Sequence, residues 1–385
     1  MPSPIYFDFN ATTPVDKRVL EEMLPYFNVN FGNASSKTHA FGWVAANAVE
    51  ESREKVSQLI GCEKQEIVFT SGATESINLA LKGIFSAYKH KGNHFITVKT
   101  EHNAVLHTCE VLKQYGAQVD YLSVDHEGKI DIAELKSLLR KETVCVVVML
   151  ANNETGTIQN IREIADVTHA NGSILVSDTT QAIGKVRVDV KEMGIDVCCI
   201  SAHKIYGPKG SGALFLNRKD PRVNVIAQMH GGGHERGLRA GTLNVPGIVG
   251  LGKAAEIANE EWWNDAQRIS PMRTKLEQKI QDCGDVIING SIKDRLPNTT
   301  NLTLRGIKAD ELIAALPNIA ISTGSACTSA LPEPSHVLSA MGISEADAFS
   351  SIRISLGKTA TEEDWKFAAT EICNEIQKLR YKERK

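Results

Sequence analysis

From about residue 66 to residue 216, short β-branched or apolar runs alternate with longer segments of helical period, the pattern of βα units wound around a parallel sheet. The clearest strand covers 144–150, which is apolar at every position and so predicts cover on both faces. Shorter runs at 66–69, 95–98, 119–122, 174–177 and 196–200 bring the expected strands to six, enough for a doubly wound α/β layer. Beyond the Gly-rich stretch 231–241, Ile248, Leu251, Ala255, Ala258 and Trp262 recur at intervals of three and four, which predicts a long helix. A smaller α/β region follows, with strands at 286–289, 301–304 and 351–355. Its last helix places Trp365, Ala368, Ala369, Ile372, Ile376 and Leu379 on one face. The segment 322–334, STGSACTSALPEP, has no amphipathic period and reads as a loop.

Composition narrows the function classes. The 385 residues suit two or three domains at about 100 to 200 residues each. With 43 Lys+Arg against 46 Asp+Glu, the chain lacks the clustered basic excess of a nucleic-acid binder, so no direct nucleic-acid contact is expected. No basic start leads into an apolar run, and nothing approaches the ~20 apolar residues of a membrane span. A soluble, cytoplasmic protein is the expectation. Eight scattered cysteines without a C-x-x-C pair are expected to be mostly reduced thiols.

In open α/β sheets, ligands sit beyond the carboxyl ends of the strands, where loops turn into helices with free N–H groups. There the chain places Thr70-Ser71-Gly72-Ala73-Thr74-Glu75, Thr100-Glu101-His102, Asn152-Asn153-Glu154, Asp178-Thr179-Thr180-Gln181 and Ser201-Ala202-His203-Lys204. Singly, each has a bland explanation: Ser71, Gly72 and Asp178 could merely start helices. Together they form a constellation. Ser71, Gly72, Ala73 and Thr74 make a phosphate cradle, since glycine lets the backbone approach and the hydroxyls donate. A Walker loop and the G-x-G-x-x-G fingerprint are both absent. His230 and His234 have a metal-like spacing, but three intervening glycines preclude the helix that would present them, and no metal is expected. A phosphate cradle, a lysine and an aspartate on neighbouring strand ends are what pyridoxal 5'-phosphate requires: an amine for its Schiff base and a carboxylate for its ring nitrogen. Lys204 and Asp178 supply them, with Lys209 the rival amine, farther into a turn.

With these residues assembled, the sequence resembles the pyridoxal-phosphate-dependent cysteine desulfurases (NifS/IscS-like) of the aminotransferase class V superfamily. The match runs from Tyr6-Phe7-Asp8-Phe9-Asn10-Ala11-Thr12-Thr13-Pro14 through the motifs above to 229–237 and Gly324-Ser325-Ala326-Cys327-Thr328-Ser329. The resemblance implies pyridoxal-phosphate fold type I. A large domain, 15–255, would hold a mainly parallel seven-stranded-type sheet, and a smaller α/β domain, 1–14 with 256–385, would carry the catalytic loop.

It also implies roles. Lys204 would hold the cofactor, Asp178 would pair with the ring nitrogen, Gln181 with the ring hydroxyl, and His102 would stack on the ring. Thr74, Ser201 and His203 would bind phosphate, joined by Thr242 from a second subunit of a homodimer. Asn153 and Arg353 would hold the substrate carboxylate. Cys327, among small neighbours that allow movement, would attack the sulfur of L-cysteine while His102 manages thiol protons. L-Alanine and a persulfide on Cys327 would result. The persulfide would supply an iron-sulfur scaffold protein or other acceptors, including the machinery of tRNA thiolation. A selenocysteine lyase or another class V pyridoxal-phosphate enzyme is the alternative.

Three departures stand out: Thr179 beside the aspartate, filling space or bonding the cofactor; Thr323 in place of a common serine; and an end at Lys385 without the longer tail by which some members grip a scaffold. Cys145, Cys198, Cys199 and Cys373 read as small buried hydrophobes.

Overall fold

The computed structural model describes residues 4–219, 222–323 and 333–383. In chain order its strands are β1 Ile5–Tyr6, β2 Ile67–Thr70, β3 His94–Val98, β4 Gln118–Leu122, β5 Thr143–Val147, β6 Ile174–Asp178, β7 Val197–Ser201, β8 Gly212–Leu216, β9 Val286–Asn289, β10 Thr299–Leu304, β11 Ile319–Ala320 and β12 Ser351–Ser355. Seven of them form one sheet in the order β2, β8, β7, β6, β5, β3, β4. All run parallel except β8, which is antiparallel to both neighbours. The sequence pattern named six of the seven. It passed over β8 because that strand follows β7 after a short turn, with no helical segment to announce a new βα unit.

Burial on both faces explains the long apolar runs. In β2, Ile67 and Phe69 enter one core and Val68 the other. One core lies under the helix Ala40–Ile60 and the start of the helix Val245–Gln281; the opposite core lies under Ala73–Ala87 and Asn103–Gln114. The helix Val245–Gln281 then continues into a second core, to which it contributes Ile269, Met272, Leu276 and Ile280. There the antiparallel sheet β9–β10–β12 packs with Trp365, Ala368, Ala369, Ile372 and Ile376 of the last helix, Glu362–Glu383. A fully buried leucine such as Leu276 contributes about 1.5–3 kcal/mol by leaving water.

Two features depart from expectation. Cys283 and Cys373 are joined in a disulfide that ties the chain just past the helix Val245–Gln281 to the last helix. Cys373 is therefore not the lone small hydrophobe its apolar neighbours suggested: the chain reversal after residue 281 brings the two Cα atoms to 6.0 Å, within bridging range. The N-terminal segment also does more than start the chain. After β1 pairs with β11, residues 8–13 cross to the large sheet, where the Thr13 N–H donates to His203 O at 3.0 Å. No helix among the described residues is long and apolar enough to cross a membrane.

Candidate active site

At the end of β2, Gly72 adopts φ +154°, a conformation closed to most side chains, just before the helix Ala73–Ala87. A Cβ there would meet only Ser201 Oγ, at 3.7 Å, so the strand end opens onto free space rather than packed chain. Gly212 is required for a different reason: its Cβ would lie 2.5 Å from Gly72 Cα. Two glycines back to back thus let β8 run alongside the cradle. The Ser71 N–H is given to Glu75 Oε2 at 2.8 Å, and Glu75 is in turn gripped by Arg239. Thr74 is exposed, and with Asn78, His102, Asn103, His107 and Val111 it lines a cleft of about 300 Å³.

His102 caps the helix Asn103–Gln114, its Nδ1 accepting from Ala104 N at 3.1 Å. That bond places the proton of the neutral ring on Nε2. Burial lowers its pKa, the nearby Lys204 and His336 acting in the same direction, so the ring is neutral at physiological pH. Asp178 closes β6, with Oδ1 accepting from Thr180 N at 2.9 Å. Beside it, the Thr179 hydroxyl donates to Cys199 O at 2.8 Å on the neighbouring strand. It is thus occupied by the sheet rather than filling space or reaching a ligand.

Lys204 lies in the tight turn after β7. Burial, with Arg353 close by, lowers its amine to about 8 against the pull of Asp178 and Asp8. Its Nζ donates to two backbone carbonyls of the N-terminal segment, Asn10 O and Ala11 O, the latter at 2.7 Å. The turn is held in a strained form. Tyr206 has φ +63°, and it is fixed by Thr13 Oγ1 on its N–H at 2.9 Å and by the Lys358 N–H on its Oη at 2.6 Å. Lys209 is exposed. His203 Nδ1 meets Thr12 Oγ1 at 3.1 Å, and burial first, then Lys204 and Lys209, lower the ring to about 4.

Arg353 in β12 is buried. It donates through one terminal nitrogen to Asn153 O at 3.0 Å and through the other to Asp8 Oδ1 at 2.7 Å, while its buried Nε has no partner among the described residues. An orphaned guanidinium N–H costs free energy unless something accepts it, and a ligand carboxylate is the natural acceptor. His102, Asp178, Lys204 and Arg353 thus lie within electrostatic reach of one another, and Gln181 joins Lys204 at the Asn10 carbonyl. Thr242 does not join them: it is exposed and has no hydrogen bond to the cradle of its own chain among the described residues. Cys327 lies outside the described residues, and so does most of the 322–334 loop.

The flanks of that loop are tied down by Arg353 and by four groups the sequence reading gave no role, Glu101, Glu154, Ser335 and His336. Ser322 exchanges backbone hydrogen bonds with Arg353, at 3.2 and 2.6 Å. On the far side the Ser335 hydroxyl donates to Glu154 Oε2 at 2.5 Å, and His336 Nε2 contacts Glu101 O at 3.0 Å. Burial raises the pKa of both Glu101 and Glu154. The glutamates of Thr100-Glu101-His102 and Asn152-Asn153-Glu154 were the available signal, because each motif carries a carboxyl group into an apolar strand end.

The aminotransferase class-V family model matches residues 5–366. The chain belongs to that family. Among curated proteins it is 50% identical over 381 residues to a cysteine desulfurase IscS of Anaeromyxobacter sp. (strain Fw109-5), covering 99% of this chain and 94% of the relative. It is 50% identical over 378 residues to the IscS of Neisseria meningitidis serogroup C / serotype 2a, covering 98% and 93%. Among solved structures, a NifS-like protein superimposes with TM-score 0.91 at 37% identity, over 97% of this chain and 99% of the other. SspA in complex with cysteine does so with TM-score 0.81 at 37% identity, over 93% and 100%.

As a class-V family member the chain is a pyridoxal-phosphate-dependent enzyme, and its residues fit that cofactor. The open cradle at Gly72, the carboxylate of Asp178 and the lowered amine of Lys204 match the group's phosphate, ring nitrogen and aldehyde in chemical type.

Proposed function

We propose that the chain is a cysteine desulfurase that converts L-cysteine to L-alanine and keeps the sulfur as a persulfide on Cys327. The observation that carries this reading is the Lys204 amine, lowered to about 8 and enclosed between Asp178 and Arg353. It is supported by a relative named as a cysteine desulfurase at 50% identity over nearly the whole chain. Pyridoxal phosphate, when bound, supplies an aldehyde that takes up an amine and a ring that draws electrons from the substrate α-carbon.

The protein's own groups do the rest. Ser71, Gly72, Ala73, Thr74, Ser201 and His203 would hold the phosphate, Asp178 would keep the ring nitrogen protonated, Gln181 would bond the ring hydroxyl and His102 would lie against the ring. Arg353 and Asn153 orient the substrate carboxylate. Lys204 Nζ, with its lowered pKa, takes the α-proton as a free amine near neutral pH. His102, neutral with its proton on Nε2, holds a proton beside the thiols. The Cys327 thiolate attacks the substrate sulfur: the S–S bond forms and the C–S bond breaks. Its electron pair returns to carbon, where a proton completes alanine, and no outside oxidant is needed.

Thr242 completes the phosphate site from a second subunit, which accounts for its exposure here and makes the active form a homodimer. Residues 15–255 form the cofactor domain, and 1–14 with 256–385 the domain that carries the cysteine loop. The protein works in the cytoplasm, and the persulfide passes to an iron-sulfur scaffold or another acceptor. Incubation with L-cysteine and a thiol reductant is expected to yield alanine and sulfide in equal amounts. Formation of a keto acid instead, or activity confined to selenocysteine, contradicts the reading.

A further inference from the structure

Residues 8–11 pass between the two sheets, and Asn10, 1% exposed, uses every polar atom it has there. Its N–H donates to Ser355 Oγ at 2.9 Å, and its Nδ2 donates to Thr299 Oγ1 at 2.9 Å and to Asn153 O at 3.2 Å. Its carbonyl accepts from Lys204 Nζ and from Gln181 Nε2, the latter at 2.9 Å. Its Oδ1 accepts from Lys185 Nζ at 3.0 Å and from Asn298 Nδ2 at 3.3 Å. Lys185 Nζ makes a second bond, to Gln181 Oε1, at 2.6 Å.

These contacts permit one orientation of the Gln181 amide. Toward these two oxygens a lysine amine donates and a carbonyl only accepts, so Oε1 must face Lys185 and Nε2 must face Asn10 O. One Nε2 hydrogen is then committed to Asn10, and the other has no partner among the described residues. A flipped amide would set N–H against the lysine and oxygen against oxygen. The lysine is an unusual choice for the task. Among the described residues no carboxylate pairs with it, and burial, then Lys204 and Arg353, push its amine well below the ordinary lysine value. An enclosed amine kept without a counter-ion costs stability, which is most readily understood if the group serves the site.

We propose that Lys185 is a positioning residue for the cofactor: by donating to Gln181 Oε1 and Asn10 Oδ1 it fixes the amide that meets the ring hydroxyl and the carbonyl that receives the Lys204 amine. The inference rests on the pyridoxal-phosphate reading above. It is tested by titrating pyridoxal phosphate into apoprotein of the wild type, Lys185→Met, Gln181→Leu and the double variant. The loaded proteins are then followed by the pH midpoint of their visible absorbance.

Lys185→Met is expected to weaken cofactor binding about tenfold, one well-made hydrogen bond. It is also expected to move the pH midpoint. Because Lys185 acts in part through Gln181, the loss in the double variant should fall at least about threefold short of the product of the two single losses. Unchanged affinity and midpoint in Lys185→Met, with only a lowered melting temperature, overturns the proposal, as does full additivity in the double variant. Should Lys185→Met not fold, Lys185→Gln, too short to reach both oxygens, is read by the same titration with the same outcomes. Failure of both to fold, with Gln181→Leu folding normally, assigns Lys185 to the fold and overturns the proposal too. A wild-type chain that takes up no pyridoxal phosphate defeats the functional reading itself, whereas normal uptake by wild type and Lys185→Met alike defeats only the role of Lys185.

Discussion

The large sheet carries polar clusters at both ends of its strands, and the two are wired differently. Where the strands begin, His94 is held by Thr143 Oγ1 at 2.7 Å and Asp120 Oδ2 at 3.1 Å, with Arg140 also on Asp120. His169 Nε2 meets Asp196 Oδ2 at 2.8 Å, and Asp196 also accepts the Leu175 N–H at 2.8 Å. Each histidine there has a carboxylate. Where the strands finish, among the described residues Lys204 has only backbone carbonyls to donate to, His102 bonds only a backbone N–H through Nδ1, and Arg353 keeps an unpartnered Nε. Histidines, lysines and aspartates in a cluster do not by themselves mark chemistry. The mark is a donor left without a side-chain partner, because a group whose hydrogen bonds are all closed has nothing to offer a ligand, whereas an amine or guanidinium short of partners does.

Substitutions at the two ends should therefore fail in different ways. The largest effect is expected for Lys204→Ala. Turnover should fall by at least about 10³-fold, within the ~10²–10⁴ span of a positioned acid–base group and beyond it if cofactor attachment is also lost. The melting temperature of the apoprotein should change little, since burial and Arg353 already disfavour the charged amine at that position. Retention of full activity would place the chemistry elsewhere.

Next in size is a pH effect on apoprotein. The neutral amine is the form that attacks an aldehyde, and Lys204 is lowered to about 8. The rate of pyridoxal phosphate uptake should fall about tenfold per pH unit below 8 and level off above it. A rate still climbing past pH 10 would mean an ordinary exposed lysine.

At the other end, Asp196→Asn should cost about 1–3 kcal/mol of stability by weakening the bonds to Leu175 N–H and His169, with activity per folded molecule unchanged. Loss of activity at full stability would erase the distinction between the ends. The smallest effect concerns His169, whose pKa is raised, chiefly by its bond to Asp196. A raised folded-state pKa means that the histidine's contribution is fully present below its unfolded value of about 6.5 and fades as pH rises through the folded one. The melting-temperature deficit of His169→Gln should accordingly be greatest in mild acid and shrink toward alkaline pH. A deficit that grows with pH would reverse the assignment.

The same contrast shows which parts of the molecule the sequence could reveal. The placement of Asp178, Lys204, His102 and Asn153 at strand ends was legible because each lies within about four residues of the end of an apolar run, and a strand end is a place the sequence marks. Asn10 and Lys185 were not. The bonds from Asn10 to Gln181, Lys185 and Lys204 span 171 to 194 positions of chain, and nothing local distinguishes an asparagine or lysine that will close such a gap. β8 escaped notice because no helix precedes it, and the Cys283–Cys373 bridge because nothing in either cysteine's spacing points to the other. Thr179 looked like an intrusion beside the aspartate until its hydroxyl was seen on Cys199 O.

Whether sulfur passes from L-cysteine to one particular thiol is read most directly by mass. Cofactor-loaded protein is mixed with L-cysteine, alkylated within one turnover, digested and mapped. A single extra sulfur on the peptide containing Cys327, absent when Lys204 is replaced by alanine, is the expected result. Alanine formed while that peptide stays unmodified, or the extra sulfur on another cysteine, would contradict the account.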